Sequence, residues 1–203
     1  MAFAQDGTAL LSGSSDTTAL VWDLTGRVVA GGSVAEALTP AALDACWADL
    51  ANPDAARAYQ AIRRLAAAPR QGVLYLAQRL RPVPHADEQR IARLIAELDN
   101  RQFAVRQKAF KELNQFGERA LESYRKALEG HPSLEVRSQL LRLRARYSVN
   151  SVPLRTVRTL EALELAGTAR AYDVFTRLAH GAPGAWLTEQ ARAALQRRAA
   201  IKQ

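Results

Sequence analysis

The feature that most constrains the fold of this chain is an internal repeat of apolar residues. Shifting the sequence against itself by 48 positions superimposes one set of apolar and boundary residues on another without a gap. A shift of about 50 positions gives a third, looser match. Such a period is typical of stacked helical units, each too small to bury its apolar face alone. The first shift places Trp47, Leu50, Asn52, Ile62, Leu65, Val73, Leu76 and Leu80 over Ile95, Leu98, Asn100, Phe110, Leu113, Leu121, Tyr124 and Leu128.

Residues typical of helix boundaries follow the same period as the core. Asn52 falls over Asn100, and Gly117 falls over Gly167 in the second shift. Asn accepts hydrogen bonds from the free amides that begin a helix, and Gly adopts the left-handed conformation that ends one. The alternative is a chance alignment of leucines in a chain rich in Ala, Leu and Arg. Because core and boundary positions agree, the sequence favours real repeat units.

The central stretch, residues 99–147, predicts three consecutive amphipathic helices. Apolar residues recur there at helical spacing, and Gly117 and Gly130 separate the segments. Ser133 is the predicted N-cap of the third helix. The packing of apolar stripes must hold such helices together, because burying one Leu contributes roughly 1.5 to 3 kcal/mol and an exposed ion pair about 0 to 1 kcal/mol.

Helix starts are also predicted upstream of this stretch. Thr39 and Pro40 fit the N-cap and the first helical residue, where the missing N–H of proline costs nothing. Asn52, followed by another proline, predicts the next start. Pro69 and Gly72 predict an interruption before a further apolar stripe.

The N-terminal part of the chain differs from the helical part. Segments 8–13 and 18–23 predict two short strands joined by a turn. Glycines then mark a linker. The sequence therefore predicts a β-hairpin in residues 1–24, a linker in residues 25–38 and a helical domain in residues 39–203.

The order F-x-x-D-G, L-L-S-G-S-S-D and A-L-V-W-D in the first 24 residues resembles the second half of a WD-repeat β-propeller blade. The resemblance implies that Trp22, Ser12 and Asp16 belong to a structural hydrogen-bond network, whose histidine partner has no counterpart here. The match covers about a tenth of the chain. One partial blade does not close a ring, so the resemblance implies the end of a longer protein that combines a propeller with helices.

The helical part resembles HEAT repeats and their armadillo relatives from Thr39 onward. The residues that carry the resemblance are Asp99 followed by Val105-Arg106, and later Leu134-Glu135-Val136-Arg137. It implies an all-α fold, an α-solenoid of about three units of three helices plus a capping helix. It further implies that Asp99, Arg106 and Arg137 bond to neighbouring backbone and to each other, although ligand binding is the alternative role.

The charge of the chain is uneven. Residues 1–50 carry a net charge of −5 and residues 51–203 a net charge of +13. The densest basic patch combines Arg137, Arg142, Arg144 and Arg146, with Arg142 and Arg146 on one helix face and the other two on a second face. Such a patch attracts nucleic acid or another anion. The alternatives are a solvated helix face and the Arg-rich composition of a GC-rich genome.

No reactive constellation is recognisable in the sequence. Cys46 is the single cysteine, and the three histidines, His85, His131 and His180, are scattered, so no metal site, cofactor or disulfide is expected. No nucleophile elbow and no phosphate-binding loop of the Walker type occurs. HEAT-like DNA glycosylases exist, but nothing here marks a catalytic carboxylate. We therefore expect a protein that is not an enzyme.

The single cysteine and the absence of a signal peptide or of a run of about 20 apolar residues predict a soluble cytoplasmic protein. The leading hypothesis is a non-catalytic scaffold that binds unknown protein partners through a helical repeat surface. The second hypothesis is a basic solenoid that binds nucleic acid through phosphate contacts. Arginines gathered on one face favour the second hypothesis, and arginines spread around the stack favour the first.

Overall fold

A computed structural model describes the chain in two compact units, 1–36 and 37–203. Each unit is treated by itself. The described residues are 1–5, 7, 9–13, 19–23, 37–147 and 152–201.

The first unit is a three-stranded antiparallel sheet with strands in the order β1, β2, β3. The two predicted strands are confirmed, with Leu10 paired to Trp22 in the register. The third strand was not predicted, because two residues are too few to show an alternating pattern. The strands are β1 (Ala2–Phe3), β2 (Ala9–Gly13) and β3 (Ala19–Asp23).

The second unit is helical, which confirms the all-α fold class for the described part of residues 37–203. Its helices are connected by short segments, and a 3₁₀ turn, Gly117–Ala120, precedes α6. The helices are α1 (Pro40–Asp49), α2 (Ala55–Ala67), α3 (Pro69–Arg79), α4 (Glu88–Glu97), α5 (Phe103–Phe116), α6 (Leu121–Glu129), α7 (Leu134–Ala145), α8 (Leu154–Ala166), α9 (Ala169–Ala179) and α10 (Trp186–Ile201).

The helix boundaries follow the period found in the sequence. Helix α4 begins and ends 48 residues after α1 (40 to 88 and 49 to 97), and α5 begins 48 residues after α2 (55 to 103). The loops that join each pair are also alike, since Asn52 accepts from the amide of Asp54 and Asn100 from the amide of Gln102, both at 2.9 Å. The 48-residue repeat that relates α1 and α2 to α4 and α5 therefore holds in local structure as well as in sequence.

Side-chain caps define five of the ten helix starts in the described residues, those of α1, α2, α4, α7 and α9. Thr39 and Ser133 are the predicted N-caps of α1 and α7, and their oxygens accept from amides three residues later. The cap of α2 is Asp54 instead of the predicted Asn52. Asn52 forms a turn that places Asp54 for this role, so the prediction is wrong by two residues.

The predicted interruption at Pro69 and Gly72 is confirmed at Pro69, since α2 ends at Ala67 and α3 begins at Pro69, but it is wrong at Gly72. Pro69 is the first residue of α3, where proline is tolerated, and Gly72 lies inside that helix. A Cβ atom at Gly72 would collide with the carbonyl oxygen of Leu65 on α2. Glycine is required here because α2 and α3 pack at their backbones, and not because the helix ends.

The helices bury two separate cores. One core is formed by α1, α2 and α3 together with α8, α9 and α10. The other is formed by α4 to α7 with the 3₁₀ turn. The fully buried side chains Leu65 of α2 and Leu163 of α8 belong to the first core, and Leu113 and Leu140 to the second.

This packing corrects the predicted stacking order. A linear solenoid would place α8 against α5, whereas α8 packs mainly against α2 and also against α3. The sequence period sets the length and apolar face of each helix, but it does not determine which apolar faces meet. Helices α8 to α10 therefore pack back on α1 to α3, and α4 to α7 form a separate group.

One arginine holds α8 against the loop that follows α1. Arg158 donates from Nη1 to the carbonyl oxygens of Leu50 and Asn52, at 3.0 and 2.7 Å. On α5, Arg106 donates in the same way to the carbonyl oxygens of Asn100 and Arg101, at 2.8 and 3.1 Å. The carbonyl oxygens of the loop after α1 therefore accept hydrogen bonds from an arginine of α8, whereas those of the equivalent loop after α4 accept from an arginine of α5.

Candidate functional site

The structure separates the four arginines of the predicted basic patch. All four side chains are exposed. Arg142 and Arg146 line a groove between α5 and α7, whereas Arg137 and Arg144 are not among its lining residues. The groove between α5 and α7, hereafter the α5/α7 groove, is the candidate functional site.

Two pairs of contacts fix the direction of the helices that form the groove. Ser133, the N-cap of α7, donates to Asp99 just before α5, at 2.9 Å. At the other end, Arg146 Nη1 donates to Asn114 Oδ1 in the last turn of α5, at 2.7 Å. The two helices therefore run in the same direction, and the 13 residues from Ser133 to Arg146 span about 20 Å at 1.5 Å per residue.

The lining side chains lie on one face of each helix. On α7 they fall at helical spacing, from Glu135 through Gln139 and Arg142 to Arg146. On α5 the same rule holds over three turns. The α5 residues are Phe103, Arg106, Gln107, Phe110, Lys111 and Asn114.

Aromatic rings form the apolar part of the groove. Phe103 is 67% exposed, and Phe110 is half-buried. The guanidinium carbons of Arg142 and Arg146 lie 5.8 and 6.0 Å from the ring centroid of Phe110, and that of Arg106 lies 5.6 Å from Phe103. Cations at such distances are attracted to the ring faces, which orients the arginines toward the groove.

The electrostatics of the groove are positive. Arg106, Lys111, Arg142 and Arg146 supply four positive charges, and Glu135 is the acidic residue among the lining residues. Glu135 accepts a hydrogen bond from the side-chain amide of Gln139 at 2.8 Å. The volume of about 430 Å³ is within the range of ordinary ligand sites.

Two of the residues with predicted structural roles, Asp99 and Arg106, form hydrogen bonds within the helical part. Asp99 accepts from Ser133, and Arg106 donates to backbone carbonyls while its side chain also lines the groove. Ser12 pairs with Leu20 in the sheet register.

Two members of the predicted network of the WD-repeat type are not described in full. Asp16 lies outside the described residues, and the backbone of Trp22 pairs with Leu10 in the sheet. The hydrogen-bond network itself therefore stays a prediction.

Sequence reasoning missed the aromatic part of the site. The apolar repeat includes Phe110, but it predicts no role for Phe103 or Lys111. The signal was present, since Phe103, Gln107, Phe110 and Asn114 follow one another at spacings of four, three and four. That stripe continues on the solvent side of a helix whose core side carries Ala109 and Leu113.

A second cluster joins Trp47 to two arginines. The guanidinium carbon of Arg79 lies 5.5 Å from the Trp47 ring centroid, and that of Arg155 lies 5.0 Å from it. The Tyr75 hydroxyl donates to Asp44 at 2.5 Å, and burial together with this hydrogen bond raises the pKa of Tyr75 to about 12. Arg79 and Asp44 also form an ion pair at 3.3 Å, so the polar groups of Asp44, Tyr75 and Arg79 are paired with one another, whereas the Nε of Arg155 is buried without a hydrogen-bond partner.

A larger cavity, of about 870 Å³, lies between the two helix groups. Its lining is mostly apolar and includes Phe116, Leu121, Tyr147 and Trp186. None of the arginines of the predicted patch lines it. Volume alone would favour this cavity, but the α5/α7 groove combines the exposed ring of Phe103 with an excess of positive charge.

The described part of the chain offers no recognisable catalytic or metal centre. No group of three or more His, Cys, Asp or Glu residues there has the arrangement of a metal site. His85 Nε2 lies 2.9 Å from the carbonyl oxygen of His180, which accounts for both as loop contacts. Cys46 is buried, and burial raises the pKa of its thiol, which disfavours the nucleophilic thiolate.

Comparisons of the chain with protein families, with curated proteins and with solved structures find no match. No helix of the described residues is long and apolar enough to cross a membrane.

Proposed function

We propose that this chain is a non-catalytic scaffold that binds other proteins through its helical surface. The observation that carries the proposal is the α5/α7 groove, in which Phe103 exposes two thirds of its surface beside the half-buried Phe110. Exposed aromatic residues framed by polar side chains are typical of protein-binding surfaces.

The use of arginine supports protein binding over general nucleic-acid binding. Arg125 is paired with Glu122 and Glu129, and Arg197 is paired with Glu164. Arg177 donates to the carbonyl oxygen of Ala77 at 2.6 Å. The positive charge is therefore spread over several surfaces and much of it serves the fold.

The experiment that tests the proposal is site-specific photo-crosslinking. Replacing Phe103 by p-benzoylphenylalanine places a crosslinker in the groove without disturbing a buried residue. Tyr59 on α2 is 54% exposed and does not line the groove, so it is the matched control position. We expect crosslinked protein from a source lysate at the first position and little at the second.

Nucleic-acid binding is the second candidate, and the four cations of the groove favour it. If Arg106, Lys111, Arg142 and Arg146 each neutralise one phosphate, the log-log salt dependence on duplex DNA has a slope of about −3.6. Tight, salt-dependent gel shifts without any crosslinked protein would support this function and contradict the first.

We further propose that the fold consists of three units of the HEAT and armadillo kind, α1–α3, α4–α6 and α7–α9, with α10 as the capping helix. Helix α7 packs on the second unit, whereas α8 and α9 pack back on the first. The common boundaries of α1 and α4 support this, as does the end of α8 50 residues after the end of α5 (116 to 166). In a linear order, α8 would pack against α5 and not against α2.

The sheet in residues 1–23 is proposed to be part of a WD-repeat blade. Its antiparallel pairing supports this, and so do the cross-strand partners Leu11 and Val21, which both expose apolar surface. Because its single cysteine cannot form an intrachain disulfide, we place the protein in a reducing compartment, the cytoplasm.

A further inference from the structure

We propose that the α5/α7 groove binds an acidic amphipathic helix of a partner protein. The inference rests on the proposed scaffold function and names the chemistry of the partner. It follows from three properties of the groove: its backbone, its length and its charge.

The backbone of the groove favours a helix over an extended peptide. Both walls are helices, so their backbone amides and carbonyls are engaged within α5 and α7. An extended peptide gains affinity by adding main-chain hydrogen bonds to an open strand edge, which this groove does not offer. A helical ligand satisfies its own backbone and needs only side-chain contacts.

The length and position of the groove agree with a missing neighbour helix. The span of about 20 Å matches about 13 helical residues. In a linear stack the next helix of the chain, α8, would pack beside α5 and α7, but α8 packs against α2. The groove is thus a helix-packing surface that the chain itself leaves without its expected neighbour.

The charge of the groove selects an acidic ligand. Arg106 and Lys111 on α5 face Arg142 and Arg146 on α7, with Glu135 as the acidic lining residue at one end. A helix with carboxylates on both flanks pairs with the two rows of cations, while its apolar residues contact the phenylalanine rings. Guanidinium groups held near a ring by this attraction keep N–H donors available for carboxylates.

The same geometry disfavours a nucleic-acid strand in this groove. Stacking of bases requires an accessible ring face. The guanidinium groups of Arg142 and Arg146 both lie near the Phe110 ring, at 5.8 and 6.0 Å from its centroid. The exposed ring of Phe103 is a single platform, which does not provide a track for successive bases.

The test uses fluorescence anisotropy with the full chain and a labelled synthetic peptide. The probe is about four helical turns long, with leucines on one face and glutamates on the others. A second peptide replaces every glutamate by lysine, and a third keeps the composition but disperses the leucines around the helix. We expect the first peptide to bind and the other two to bind at least about tenfold more weakly.

Variants on one helix supply matched controls. Arg142→Glu changes the groove face of α7, and Arg144→Glu or Arg137→Glu changes other faces of the same helix by the same charge. We expect Arg142→Glu to weaken binding by about tenfold or more, and both controls to remain within about twofold. Phe103→Ala should weaken binding by about fivefold, because it removes the exposed ring without changing the charge.

Several outcomes would overturn the inference. Equal weakening by Arg142→Glu and Arg144→Glu would mean attraction by net charge alone, and equal binding of the dispersed peptide would exclude a helix-packing mode. Tighter binding of a single-stranded oligonucleotide that also depends on Arg142 would assign the groove to nucleic acid.

The failure of this inference is distinguishable from failure of the scaffold function. If the crosslinker at Phe103 captures proteins but the acidic peptide does not bind, the scaffold stands and the proposed ligand is wrong. If no protein is captured and no peptide binds, both proposals fail.

Discussion

The packing of α8 against the first helices of the domain is tested most directly through the contact that Arg158 makes. Its Nη1 donates to the carbonyl oxygens of Leu50 and Asn52, which lie more than 100 residues earlier in the chain. Replacement by Met keeps much of the aliphatic stem but removes the charge and both hydrogen bonds. We expect Arg158→Met to lower the free energy of unfolding.

The magnitude follows from the number and burial of the bonds. A hydrogen bond from a charged donor contributes about 1.5 to 3 kcal/mol when it is not replaced by water. Arg158 is half-buried, so water restores part of the loss, and we expect a total cost of about 2 to 3 kcal/mol. Arg106→Met is the matched control, because Arg106 is also half-buried but donates to the carbonyl oxygens of two exposed residues, Asn100 and Arg101, in the loop before its own helix. Its expected cost is about 1 kcal/mol or less.

Urea unfolding followed by far-UV circular dichroism measures both values. The comparison requires equal denaturant dependence in the two variants, so that a shift in midpoint reports stability. If Arg158→Met costs no more than Arg106→Met, the contact between α8 and the loop after α1 does not contribute in solution. The two-core packing would then be refuted in favour of an open arrangement of α8.

Two further predictions concern the cores. Gly72→Ala should destabilise the chain by about 2 kcal/mol or more, because its Cβ would collide with the carbonyl oxygen of Leu65. Gly130→Ala is the control and should change stability by less than about 1 kcal/mol, since the nearest neighbour of its Cβ would be 3.5 Å away. Thermal unfolding measures both variants, and equal melting temperatures would contradict the packing of α2 on α3. Burial raises the pKa of Tyr124, so the folded state keeps its proton above about pH 10, where an unfolded tyrosine ionises. Stability should therefore be complete below pH 10 and fall as the pH rises further, and Tyr124→Phe should reduce this fall; an unchanged pH profile in urea titrations would rule out Tyr124 as its source.

Much of the local structure could be predicted from the sequence. The caps Thr39 and Ser133, the positive-φ turn at Gly167 and the period shared by α1 and α4 follow from rules that involve neighbouring residues only. These rules act over one or two helical turns. They need no knowledge of how the chain closes on itself.

The packing order could not be predicted in this way. The apolar stripe of α8 is equally able to face the second unit or the first, and the period treats both choices alike. What distinguishes them is a set of contacts between residues about 100 apart, such as those between Arg158 and the loop after α1. Likewise Gly72 has the sequence signature of a helix end, and only its approach to α2 shows why glycine is needed inside α3.

The candidate site was half predicted. Arg142 and Arg146 were assigned to one face of α7, and both line the groove. Their partners on α5 were not predicted, because the apolar period includes Phe110 as one of its repeated positions and does not involve Phe103. A helix with apolar residues on two faces predicts a second contact surface, and that surface is the groove.

Because the two cores are separate, the α5/α7 groove should not depend on the packing of α8 against α2. Every residue that lines the α5/α7 groove belongs to α5 or α7, or is Leu98, the C-cap of α4, whereas Arg158 stabilises the other core. Arg158→Met should therefore lower stability and yet leave the affinity for the acidic helical peptide within about twofold at temperatures where the protein is folded. Loss of binding in that variant, with native circular dichroism retained, would show that the packing of α8 on α2 shapes the groove from a distance, and the groove could no longer be treated as a surface built by α4 to α7 alone.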